Sequence, residues 1–129
     1  MGTLNFVVGR LGLECLAQLG RPETPKDFTL AWRQRNAEFH AAAATYMNRR
    51  LEAAQAAGGD SLRETVLREY VTKVRQNGEA SVVEWFRTGD KKSSCRRAIA
   101  AVDGGALDVN ATAPIHAELK ALVDWAAGR

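Results

Sequence analysis

The sequence predicts an all-α, single-domain bundle of five to six helices with one long central helix. Three observations carry this: apolar residues recur at spacings of three and four, no segment alternates with period two, and Gly or Pro separates runs of strong helix formers. At 129 residues, with 46% hydrophobic and 26% charged, the chain reads as one helical domain over 1–129, long enough to bury roughly two thirds of its unfolded surface. No internal repeat or low-complexity linker divides it.

Leu4, Val8, Leu11, Cys15 and Leu19, with Val7 beside them, line one face of a first helix that Gly20 ends. Pro22 and Pro25 mark a loop, and Thr24-Pro25-Lys26-Asp27 reads as an N-cap followed by proline in the first turn. From Pro25 to about Ala57 there is no Gly or further Pro, which predicts one long helix burying Phe28, Trp32, Phe39, Ala43, Tyr46 and Ala54. Gly58-Gly59 stops it. Ser61-Leu62-Arg63-Glu64 is a capping box opening a third helix, with Val66, Leu67, Tyr70, Val71 and Val74 inward. Asn77-Gly78 ends or bends that helix, and Glu79 to Arg87 reads as a short one. After Thr88-Gly89-Asp90, the residues Cys95, Ile99 and Val102 form the inward stripe of a further helix closed by Gly104-Gly105. A loop through Asn110 follows, and Ile115, Leu119, Leu122, Val123 and Ala126 mark the last helix, with Pro114 near its start.

No apolar stretch is long enough for a membrane span, because Arg10 and Glu14 interrupt the one around Leu4 to Leu19. The start lacks the charged and uninterrupted apolar regions of a signal peptide, so the chain reads either as cytosolic or as a mature exported chain whose signal has been replaced by Met1 and Gly2. Eighteen Lys plus Arg against fifteen Asp plus Glu give a net charge of +3, which bears on association rather than fold. The excess clusters at Arg87, Lys91, Lys92, Arg96 and Arg97, which face only Asp90, whereas 103–124 holds four acids against Lys120. This basic segment would meet phosphate, an acidic protein surface or simply solvent. The modest total charge, the lack of a helix-turn-helix signature and the absence of exposed aromatics among these cations argue against nucleic acid.

Cys15 and Cys95, the only two cysteines, both fall on inward stripes. An even count on inward positions favours one disulfide closing a loop of about 80 residues over two buried free thiols, and a disulfide would imply an oxidising compartment. Their spacing excludes a CxxC redox or zinc site.

The early cysteine (Glu14-Cys15-Leu16), the Trp-x-x-Arg-Asn element (Trp32, Arg35, Asn36) and the late cysteine opening a helix (Cys95-Arg96-Arg97) resemble small exported helical proteins of Gram-negative bacteria. That broad type includes the immunity proteins that neutralise type VI secreted peptidoglycan amidases. The resemblance implies a periplasmic address and a protein partner.

Arg35 projects from the centre of the Trp32 and Phe39 stripe, and Arg50 falls on it near Tyr46. A guanidinium there requires a carboxylate, several carbonyls, a cleft, or a stem lying on apolar surface with its head in water. His40 and His116 sit away from the apolar stripes and read as exposed, without the convergent ligands of a metal or acid–base site. Ser93 and Ser94 form no nucleophile motif and read as local caps. The expectation is a non-catalytic, cofactor-free, periplasmic or secreted binding protein that covers or inhibits a partner protein. Arg35, Arg87, Lys91, Lys92, Arg96 and Arg97 are its candidate contacts, and a homodimer through the long helix remains open. The alternative is a cytoplasmic helical regulator or nucleic-acid-associated protein acting through 87–97.

Overall fold

The computed structural model describes residues 1–109 and 115–128. Among them lie five helices, α1 (Gly2–Cys15), α2 (Pro25–Arg35), α3 (Ala37–Trp85), α4 (Lys91–Asp103) and α5 (His116–Ala126), and no strand. The expected loop at Asn110 and the Pro114 helix start lie outside the described residues.

α1 is the hub against which α2, α3 and α4 pack. Its buried stripe is the expected one, with Val7, Val8, Leu11 and Cys15 almost solvent-free beside Trp32, Ile99 and Val102. Helical turns continue past Cys15 to Gly20. There the amide of Arg21 donates to the carbonyl of Leu16 (2.9 Å) and that of Gly20 to Ala17 (3.1 Å), the paired bonds of a Schellman motif. The Thr24 hydroxyl accepts the Asp27 amide at 3.1 Å, which caps α2 as expected.

The long second helix breaks once more than predicted, at Asn36 (φ −114°, ψ 28°). Asn36 is 2% exposed. Its Nδ2 donates to the Trp32 carbonyl (2.8 Å), and its Oδ1 accepts the backbone amide of Val109 (2.7 Å). A tertiary bond to a residue far along the chain thus overrides the helix propensity of the segment. The apolar stripe then divides between two clusters. Phe28 and Trp32 join the α1 and α4 core, whereas Phe39 and Ala42 meet Leu119 and Val123 of α5; Met1 and Leu4 touch both clusters. Tyr46, expected inward, is 44% exposed.

The predicted stop at Gly58-Gly59 is present as a break that joins two helices within α3. Within it only Gly59 departs from helical geometry (φ 68°, ψ −160°), a backbone region open to glycine and strained for other residues. The chain folds back there, because Met47 and Tyr70 line one cavity although a straight helix would hold them about 35 Å apart. The second half restarts immediately, so the Ser61 box is not used as a cap; the Ser61 carbonyl instead accepts the Thr65 hydroxyl. Asn77-Gly78, by contrast, does not end the helix. A Cβ at position 78 would collide with the Phe6 ring, so Gly78 serves close approach of α1. We expect Gly59→Ala to cost about 1–3 kcal/mol through backbone strain and to favour dimers that exchange the two halves of α3. Light scattering and urea melts check this; an unchanged monomer of unchanged stability would contradict the hinge.

At α4 the cap is Asp90, not Ser93 or Ser94: its carboxylate accepts the Ser93 amide at 2.8 Å. That bond, with a further one from the Ser93 side chain, holds the Asp90 carboxyl below its ordinary pKa. The Ser94 hydroxyl donates to the Thr88 carbonyl (3.1 Å). Gly105 (φ 84°) closes α4 with a second Schellman pair, Gly105 to Val102 and Ala106 to Ala101.

Candidate functional site

Cys15 and Cys95 form a disulfide with a Cα–Cα distance of 5.1 Å. Both are fully buried, and the bond ties α1 to α4 where the two helices meet. At the other end of α4, Arg21 pairs with Glu23 (2.7 Å) and Asp103 (2.9 Å). These bonds push the Arg21 pKa up and the Glu23 pKa down, the hydrogen bond between the two being the largest cause for each.

The Trp-x-x-Arg-Asn element is a clasp for the turn after α4. The Trp32 indole donates to the Leu107 carbonyl (3.3 Å), and Arg35 donates to the Val102 carbonyl (2.8 Å) and to Asp108 (3.3 Å), while Asn36 holds Val109. The place expected for a cleft at Arg35 is therefore taken by the chain's own 102–109 segment, and the guanidinium has both the carboxylate and the carbonyl it requires. Arg50 stacks over Tyr46 at 5.9 Å.

The basic segment is partly spent within the chain. Arg87 pairs with Glu84, Lys91 with Glu14 (3.3 Å), and Arg97 donates to the Thr88 carbonyl (2.9 Å) and to Ser94 (3.1 Å). Arg96 lies near enough to Asp90 to favour its charged form, and Lys92 is exposed. Arg97 lines a pocket of about 300 Å³ with Trp85 and Thr88, whereas Arg87 and Lys91 line a second concave surface.

That surface runs along the outer side of α1 as two grooves. One, of about 480 Å³, lies between α1 and α2 and includes Phe6, Gly9, Leu13 and Leu30. The other, of about 520 Å³, lies between α1 and α3 and includes Val82, Val83 and Phe86, with Arg87 and Lys91 at its edge. Arg10 lines both and separates them. Its guanidinium pairs with Glu79, lies 3.9 Å from Glu14 and stands over the Phe6 ring, while its Nε is buried without a hydrogen-bond partner. Leu13 and Val83, one in each groove, are 62% and 60% exposed, the highest values among the large apolar residues described. Sequence reasoning missed both. The signal was there, since Leu13 falls off the stripe that Leu11 and Cys15 bury.

A second surface was also missed. Exposed Tyr46 and Trp125 meet edge to face at 6.0 Å, and Arg49 stands over the Trp125 ring at 5.1 Å. Aromatics do interleave with cations here, but on α3 and α5 rather than in the basic segment.

The histidines are half-buried rather than exposed. His116 packs edge-on to Phe39 at 5.8 Å, while His40 lines a separate cavity with Met1 and Tyr70. Burial lowers the pKa of the Met1 amine. Among the described residues no three His, Cys, Asp or Glu side chains are placed to share a metal ion, and no helix is long and apolar enough to cross a membrane. Comparison with protein-family models, curated proteins and solved structures finds no match for this chain.

Proposed function

We propose that this chain is an exported, non-catalytic helical protein that covers or inhibits a partner protein, in the manner of the immunity proteins its cysteine and Trp-x-x-Arg-Asn elements resemble. The observation that carries this reading is the twin-grooved face of α1, where Leu13 stands in solvent beside Arg10, Lys26 and Arg33, and Val83 in a neighbouring groove of mixed charge. Apolar residues exposed together in concave surface are a feature of interaction sites. The disulfide is compatible with an oxidising compartment such as the periplasm. It also bears on binding: α1 is held to α4, so its outer face is ordered in advance and less conformational entropy is lost on association. Inhibition would then follow from occlusion, with no bond made or broken.

In cells carrying the native gene, chemical crosslinking should join the wild-type chain to a discrete protein partner. Leu13→Asp/Val83→Asp should weaken that complex roughly tenfold or more, as loss of central apolar contacts does. Leu67→Asp/Val71→Asp, at exposed positions in the second half of α3, should leave it intact. Equal capture by all three, or capture of nucleic acid in place of protein, would overturn the reading.

A further inference from the structure

We infer that the groove between α1 and α2 seats an acidic amphipathic helix of the partner protein; this rests on the binding reading above. Its floor is apolar in chemistry as well as in residue type. Phe6 and Leu13 come from α1, Pro25 and Leu30 from α2, and the one hydroxyl among them, Thr29, donates to the Pro25 carbonyl at 2.8 Å. Gly9 adds no side chain, which keeps the middle of the floor low. Such a floor offers little to the backbone N–H and C=O groups of an extended peptide, whereas a helix satisfies its own. From Asn5 to Leu13 the α1 wall extends about 12 Å, the length of roughly two helical turns, so the occupant would present apolar side chains at i, i+4 and i+7.

Charge chooses the kind of helix. Arg10, Lys26 and Arg33 line the groove and no carboxylate does. Arg10 is committed to Glu79. Lys26 has no ion pair among the described residues, and Arg33 is tethered only through Nε to the Asn5 side chain (2.7 Å), which leaves its terminal nitrogens to face a ligand. Lys26 and Arg33 are seven residues apart on α2, so both lie along the same wall about 10 Å from each other. Carboxylates at i and i+7 of an incoming helix match that spacing. The partner segment is therefore an amphipathic helix with an apolar stripe and two acids two turns apart.

The test is selection from a random 16-residue peptide display library on the oxidised, full-length chain. Enriched peptides should carry acids spaced by seven beside an apolar stripe and should gain helical circular dichroism on binding. They should lose roughly tenfold or more in affinity for Lys26→Glu/Arg33→Glu, as reversal of close charge pairs does, and regain it when their acids are replaced by Lys. Lys26→Glu alone, at an exposed position, supplies a variant that leaves the fold undisturbed and should show a smaller loss of the same sign. Enrichment without acidic bias, binding indifferent to both variants, or no enrichment would overturn this inference. If the crosslinked partner of the preceding section is still lost with Leu13→Asp/Val83→Asp, the binding reading stands without it.

Discussion

Removal of the disulfide, as Cys15→Ala/Cys95→Ala, should lower the unfolding free energy by about 4.5–5 kcal/mol. The bond joins residues 80 apart in sequence, and closing a loop of that length restricts the unfolded chain by about 4.5 kcal/mol in the chain-entropy model. Truncating two fully buried sulfurs adds a small packing loss. For 129 residues the change corresponds to a fall in Tm of roughly 15 °C. The loss should be regional as well as global. α4 packs against α1, so amides around Ala98 and Val102 should exchange faster in the variant than those of α5. Urea melts of the oxidised protein and the variant, with hydrogen exchange by mass spectrometry, check both parts; a difference under about 1 kcal/mol would show that the bond constrains little.

Asn36→Ala should cost about 2–4 kcal/mol. The substitution removes three bonds made by an almost fully buried side chain, to the Trp32 carbonyl, the Asp108 carboxylate and the Val109 amide, and the Val109 amide, itself buried, is left without its acceptor. An orphaned buried donor costs about 1–3 kcal/mol, and losing the bond to the Trp32 carbonyl adds about 1 kcal/mol. Asn36→Asp separates the two contributions: it keeps an acceptor for Val109 but loses the donor to Trp32 and faces the Asp108 carboxylate, which lies 3.4 Å from Asn36 Nδ2. The Val109 amide should therefore exchange fastest in Asn36→Ala, while both variants lose stability. If Asn36→Ala melts like wild type, the clasp does not hold the 102–109 turn.

Much of the fold was legible because its punctuation is local. Gly20, Thr24 and the Gly104-Gly105 pair act through bonds to residues within one turn, so the sequence pattern alone places those helix ends. The errors arise where a distant residue decides. Asn36 breaks a run of good helix formers because Val109 supplies a partner that no window around Asn36 contains. Gly78 does the reverse, staying helical because Phe6 occupies the space above it. The disulfide was legible as the favoured reading, since both cysteines lie on inward stripes, although the stripes alone do not exclude two buried free thiols. The site was least legible. A cluster such as Arg87 to Arg97 is visible as a run, but the pairing of its Lys91 with Glu14 depends on packing. Leu13, Leu30 and Val83 read as ordinary apolar residues until the neighbouring helices leave them uncovered.

The proposed function rests on a binding surface locked by a disulfide in an oxidising compartment. The most direct test is the thiol state of the chain taken from cells carrying its native gene, trapped in acid, alkylated while unfolded and weighed intact before and after reduction. No alkyl groups are expected before reduction and one on each of Cys15 and Cys95 after it, in a monomer recovered with the periplasmic fraction. Two alkyl groups added without reductant, in chain recovered from the cytoplasm, would contradict it.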